Sequence, residues 1–138
     1  MKIVPIRKKD RKECAEIIFE EFNKQGEGFT KKTALQRVNN TCQPGFSFCM
    51  KGNKEIIGLI LATTFPYAKG KYLWIEELVV RGKWQGKGIG EKLMKRAEKE
   101  AKKKNIDVIT LMTKSFNTKF YKRLGFNETD YTMVEKEL

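Results

Sequence analysis

At 138 residues and 40% hydrophobic content, the chain suffices for one domain with a core of its own and is too short for two ordinary ones. Lys and Arg outnumber Asp and Glu 29 to 17, and the net charge of +12 attracts polyanions without choosing among nucleic acid, acidic membrane and a phosphate-rich small molecule. Histidine is absent and the three cysteines, Cys14, Cys42 and Cys49, lack a CxxC spacing, which leaves no basis for a zinc site or a histidine-activated nucleophile and fits a reduced, cytoplasmic compartment.

The first ten residues carry one short apolar alternation and no signal-peptide core, so they predict a strand at residues 2–7. Asp10 followed by Glu13 reads as a capping box, and Cys14, Ile17, Ile18 and Phe22 recur at helical spacing until Gly26 and Gly28. Thr30 is placed to cap a second helix, to about residue 38, with Ala34, Leu35 and Val38 as its stripe. After Pro44-Gly45 the period changes: FSFCM from residue 46, the turn KGNK and EIIGLILATTF read as a hairpin of two strands, residues 66–71 as a loop, and YLWIEELVV at residues 72–80 as a strand buried on both faces. The longest apolar stretch, residues 56–62, is broken by Gly58 and is far too short to span a bilayer, so a soluble protein with no membrane partner is expected.

Downstream, Ile89, Leu93, Met94, Ala97 and Ala101 share one helical face, with Lys92, Lys95, Lys99, Lys102 and Lys103 on the others. Asn105 ends that helix; IDVITLMT predicts a strand, SFNTKFYKRL a short helix stopped at Gly125, and YTMVEKEL at residues 131–138 a last alternating strand. The order implies one α/β domain over residues 1–138, with a mixed sheet antiparallel in its hairpins and parallel across the long helix.

Between that buried strand and the long helix stands RGKWQGKGIG, with Gly86, Gly88 and Gly90 in five residues. Strand, glycine loop and helix N-terminus make an anion site, because the first helical N–H groups have no intrahelical partner and the macrodipole places partial positive charge there. The spacing fits neither of two better-known phosphate loops: Gly82 to Gly86-Lys87 is one residue short of GxxxxGK[ST], and GxGxG is not GxGxxG. Gln85-Gly86-Lys87-Gly88-Ile89-Gly90 does have the form [QR]xxGx[GA], preceded by Trp84 and followed about 30 residues on by FYKRLGF at residues 120–126, of the form FYxxxGF. These two motifs, in this order and in this element context, resemble the GNAT superfamily of acetyl-CoA-dependent N-acetyltransferases, and the likeness runs over essentially the whole chain.

The resemblance implies a mostly antiparallel sheet of six to seven strands flanked by four helices, with strands four and five splayed to hold the pantetheine arm. By position, the backbone of Leu78, Val79 and Val80 would pair with that arm, while Gln85 and the amides of Gly86, Lys87, Gly88, Ile89, Gly90 and Glu91 would take the pyrophosphate. Acetyl-CoA is then the co-substrate, and no metal is needed. An alkyl amine of pKa near 10 is unprotonated in only about one molecule in a thousand at pH 7, so a base is required. Glu76 and Glu77 are the candidates, two carboxylates inside a strand expected to be buried; only one can face the cleft on a regular strand. Glu76 is preferred on a face shared with Trp74, Leu78 and Val80, with Glu77 in reserve, against the plainer reading that one carboxylate pairs with a cation on a helix. Tyr121 matches the family's proton donor to the leaving thiolate. Where relatives carry an asparagine seven residues before that tyrosine this chain has Lys114, and either Asn117 takes that cofactor contact or it is lost.

The expected partner is an amine acceptor shaped by residues 23–39 and 65–71, with Phe29, Phe65 and Tyr67 as candidate lining. A homodimer is compatible with the sequence. Two other readings stand beside acetyl transfer: a GNAT-like acetyl-CoA binder without turnover, and a basic nucleic-acid module using KRAEKEAKKK, which the interleaved Glu91, Glu98 and Glu100 and the lack of a nucleic-acid motif disfavour.

Overall fold

The apolar run of residues 56–62 is buried along its whole length, and the rest of the domain is built around it. In the computed structural model, which describes residues 1–138, β3 (Ile56–Tyr67) lies at the centre of a five-stranded sheet with β1 (Lys2–Pro5), β2 (Phe48–Lys51), β4 (Gly70–Val80) and β5 (Val108–Leu111) in the order β1-β2-β3-β4-β5. The first three pairings are antiparallel and β4–β5 is parallel, as a connection through a long helix requires.

Helices α1 (Arg11–Asn23) and α2 (Lys31–Thr41) cover one face of the sheet, and α3 (Ile89–Lys103) and α4 (Thr118–Arg123) the other. One core joins Ile17, Ile18 and Val38 to Leu59 and Leu61; the other joins Leu93, Met94 and Ala97 to Ile60, Leu73 and Ile75. The three cysteines are free and buried in the first of these cores, and burial pushes the thiols of Cys14 and Cys49 well up.

Three local expectations are corrected. Thr30 does cap α2, its Oγ1 accepting from Thr33 N at 3.0 Å, but the box at Asp10 and Glu13 does not form. Asp10 instead accepts from Arg7 N and Lys51 Nζ, and Glu13 reaches across to accept the Ile56 N–H at 2.7 Å. The expected loop at residues 66–71 is mostly strand, since Pro66 pairs with Lys71 and Tyr67 with Gly70 around a two-residue turn. The proline is tolerated because the hairpin there runs past β2 and needs no N–H on that side. Finally, the sheet has five strands rather than six or seven: residues 131–138 alternate but form no strand and are exposed throughout. Alternation makes a strand only where a sheet edge and an apolar surface take it up, and this segment carries Glu135, Lys136 and Glu137 with Met133 and Val134 in solvent.

Candidate active site

The parallel pairing of β4 with β5 ends at Ile75–Leu111, so residues 76–80 of β4 have an edge with no strand beside it. The gap expected beside strand four is therefore open, because β5 ends at Leu111 while β4 runs on to Val80. Its polar groups follow from register. Arg81 N donates to Ile57 O at 2.9 Å, and the alternation of an antiparallel pair then turns the N–H and C=O of Val79 and Glu77 toward β3 and those of Leu78 and Val80 toward the gap. Of the three residues expected to offer backbone to the gap, Leu78 and Val80 do so, and Val79 is turned to β3.

A β-bulge alters the side chains in the same stretch. Leu61 pairs with Glu77 and its neighbour Ala62 with Ile75, leaving Glu76 as the extra residue on β4. Leu73 and Ile75 pack on the α3 side, yet beyond the bulge so do Leu78 and Val80, while Val79 packs on the α1 side. Glu76 thus does not share a face with Leu78 and Val80. Both carboxylates lie on the α1–α2 side, where Arg37 of α2 meets Glu76 Oε1 at 3.2 Å, Glu77 Oε1 at 3.7 Å and the Glu76 carbonyl at 3.1 Å.

The two glutamates differ in what holds them. Glu76 is doubly committed, to Arg37 and to the Thr63 hydroxyl, which donates to its Oε2 at 2.5 Å. Glu77 has only the longer Arg37 contact, and burial pushes its carboxyl up to about 7, Arg37 opposing the shift and the Glu76 charge adding to it. Tyr121 of α4 is T-stacked on Phe120 and Phe126 on the α3 side of the sheet. Burial and then the Glu77 charge push its phenol up to about 12, so the hydroxyl keeps its proton throughout the neutral range.

The glycine loop occupies the end of the open edge. Gly86 and Gly88 have φ of +76° and +79°, a region where side chains are strained, and a Cβ at either would meet nothing within 4 Å; backbone conformation rather than crowding explains the glycines. Gly88 is the N-cap of α3, which leaves the N–H groups of Ile89, Gly90 and Glu91 without intrahelical acceptors. The loop is anchored by residues that sequence reasoning missed. Glu21 of α1, 7% exposed, accepts the Gly82 N–H at 3.1 Å and lies 3.4 Å from Gln85 Nε2. Gln85 Nε2 also donates to Val80 O at 2.8 Å, which ties the loop back to the strand end. The available signal was position: Glu21 continues the apolar stripe of Ile17 and Ile18, where an unpaired acid would be costly.

Strand edge, loop and α4 enclose a cleft of about 580 Å³, within the usual range for small-molecule sites. Leu78, Val79, Val80, Gln85, Asn117 and Tyr121 line it, with Gly86, Gly88, Ile89, Gly90 and Glu91 at its loop end. Lys87 does not; it flanks a neighbouring depression with Lys92 and Arg96. Asn117 ends a 3-10 turn immediately before α4, and Lys114 is directed away to an ion pair with Glu27 of the α1–α2 connection.

The model of the Acetyltransferase (GNAT) family matches residues 12–126, and the chain belongs to that family. No curated protein sequence matches it. Among solved structures, a possible acetyltransferase of Clostridium difficile 630 superposes with a TM-score of 0.83 at 20% identity over 99% of this chain and 97% of that one. A predicted acetyltransferase of Clostridium acetobutylicum, solved with acetyl-CoA, gives 0.82 at 20% identity over 98% and 95%. Glucosamine-6-phosphate N-acetyltransferase of Arabidopsis thaliana gives 0.74 at 18% over 98% and 97%. At these identities the likeness establishes the shared fold. No helix is long and apolar enough to cross a membrane.

Proposed function

We propose that the protein transfers the acetyl group of acetyl-CoA to a primary amine by direct attack in a ternary complex, with Glu77 as base and Tyr121 as proton donor. The observation that carries this reading is the free edge of β4, which ends at the unpaired amides of α3 and is flanked by Glu77 on one side of the sheet and Tyr121 on the other. Acetyl-CoA supplies an activated carbonyl on a thiolate leaving group. The amides of Gly86 and of Gly88 to Glu91 and the α3 dipole suit its pyrophosphate, and the outward N–H groups of Leu78 and Val80 with the Leu78 C=O suit its amide-bearing arm.

The protein's own share of the chemistry is proton movement and charge placement. Glu77 takes a proton from the acceptor's ammonium; with its carboxyl near 7, the basic form is substantially populated at neutral pH. The gap-facing N–H of Leu78 or Val80 donates to the oxygen on which charge develops. As the tetrahedral adduct collapses, Tyr121 Oη gives its proton to the departing sulfur and is reprotonated, directly or through solvent, by the proton that the new amide nitrogen loses. Glu76 is structural in this scheme, since Arg37 and Thr63 hold both its oxygens, which matches the plainer reading of one of the two carboxylates. The lysines of α3 give little support to a nucleic-acid face, because Glu91 pairs with Lys95 and Glu100 with Arg96, Lys103 and Lys104.

Calorimetric titration with acetyl-CoA, followed by thiol release across a panel of amines, tests the proposal. Binding with amine-dependent thiol release is expected. Binding without release from any amine leaves a non-catalytic acetyl-CoA binder, and nucleic-acid affinity with a steep salt slope and no acetyl-CoA binding overturns the reading altogether.

Tyr121→Phe keeps the ring stacked between Phe120 and Phe126 and removes only the hydroxyl. Acetyl-CoA affinity and Tm near wild type are expected, with a single-turnover rate lower by roughly 10- to 1000-fold. An unchanged rate assigns thiolate protonation to water, and a large fall in Tm makes the hydroxyl a structural hydrogen bond.

A further inference from the structure

On the acetyl-transfer reading above, we infer that the acceptor is an amine joined by a short chain to an aromatic ring, and that a strip of rings on the β3–β4 hairpin receives that ring. Phe65, Tyr67, Tyr72 and Trp74 stand on the face of the hairpin that also carries Thr63 and Glu76, with Phe65 opposite Tyr72 and Thr63 opposite Trp74. Their centroids lie 5.4 Å apart for Phe65–Tyr72, 5.6 Å for Tyr67–Tyr72 and 6.3 Å for Phe65–Trp74. None of the four belongs to either hydrophobic core; Tyr67 is 58% exposed and the others are half-buried. Four touching rings left outside both cores are a surface on which a flat group stacks.

The strip has a direction. Its inner end, Trp74, is followed two residues on by Glu76 and then by Glu77, a step of about 6.7 Å along a strand. A two- or three-carbon linker carries the nitrogen from the ring past Glu76 toward the Glu77 carboxylate, which the bulge leaves on the same face. At this end Glu27 and Glu76 are ion-paired with Lys114 and Arg37, and the ionised form of Glu77 leaves one negative charge in excess, so in a protein of net charge +12 the place where the ammonium must arrive is acidic once Glu77 is in its basic form. The outer end has no such excess: the exposed Lys69 sits in the hairpin turn, and Tyr131 of the C-terminal segment, with Asp130 near it, stands beside Tyr67. A polyamine has no ring to lay on the strip and keeps its further ammonium groups in water, so the strip favours a monoamine that carries a ring.

The experiment compares phenethylamine, hexylamine and spermidine as acceptors, and reads their binding directly by tryptophan fluorescence in a Trp84→Phe background, where Trp74 is the sole tryptophan. Expected are saturable quenching by phenethylamine and a kcat/KM for it at least about tenfold above that for hexylamine or spermidine. Trp74→Leu and Tyr72→Leu, tested separately, should erase that preference by raising KM for phenethylamine more than for hexylamine, with kcat for phenethylamine little changed and a melting curve confirming the fold. Turnover of hexylamine or spermidine with no phenethylamine quenching, or a preference that survives both substitutions, overturns the strip as acceptor site and leaves acetyl transfer standing. Quenching by phenethylamine with no thiol release from any amine keeps the strip and overturns acetyl transfer; neither quenching nor release overturns both.

Discussion

Replacing Gly90 with glutamate is expected to weaken acetyl-CoA binding by roughly 100- to 10,000-fold while leaving the fold intact. Gly90 is the second residue of α3, and its φ is not in the left-handed region, so a side chain there meets no backbone penalty. A Cβ would lie 3.5 Å from the Phe120 ring, an ordinary contact. An acid in the first turn also favours the helix itself. What changes is the cradle: a carboxylate next to the free amides of Ile89, Gly90 and Glu91 competes for the donors that a pyrophosphate would use. Losing two charge-assisted hydrogen bonds, at about 1.5–3 kcal/mol each, corresponds to the fall stated. Gly88→Glu is a poorer test, because φ of +79° strains any side chain and mixes stability with binding. Calorimetry and a melting curve on the same Gly90→Glu sample decide the matter: wild-type affinity removes the loop from the binding site.

The glycine loop was readable because its requirements are local. Positive φ at Gly86 and Gly88, an N-cap and a following amphipathic helix all leave marks within ten residues, and the structure has each of them. The long helix and the buried run of β3 were readable for the same reason, as periodicity registers burial directly. The positioning of the carboxylates was not. It depends on one extra residue in β4 relative to β3, and a bulge has no composition of its own here; nothing in WIEELVV distinguishes a regular strand, which separates Glu76 from Glu77, from a bulged one, which sends both to Arg37. Glu21 and Arg37 escaped similarly, since each acts through a residue distant in the chain, Gly82 in one case and Glu76 in the other. The C-terminal alternation misled in the opposite sense: period two states which faces a segment would have, whereas membership in the sheet is decided by the edge available to it.

Glu77→Gln is expected to separate activity from stability, moving them in opposite directions. Activity in kcat/KM should fall by roughly 100- to 10,000-fold at pH 7, the range of a lost general base, and the loss should shrink as pH rises toward the acceptor's own pKa, where free amine no longer needs the carboxylate. In the wild type the rate should rise with pH through a midpoint near 7, set by Glu77, with Tyr121 still protonated well above it. Stability follows the sign of the same shift. Folding raises this carboxyl from 4.5 to about 7, so the folded state holds the proton more tightly than the unfolded one, and wild-type stability declines as pH rises between those values. The full effect is on the order of 3 kcal/mol, to be read as an upper bound because Arg37 remains beside the site. Glutamine is never ionised, so the variant should melt several degrees higher than wild type at pH 8 and alike below about pH 5. Glu76→Gln serves as the contrast: it weakens the Arg37 ion pair and the Thr63 hydrogen bond and should lower Tm, and because it removes a negative charge beside Glu77 and frees Arg37 for that carboxylate, it should move the midpoint of the pH profile below 7 while keeping the base. If the pH-dependent loss appears in Glu76→Gln and not in Glu77→Gln, the roles of the two carboxylates are reversed and the bulge does not select the base.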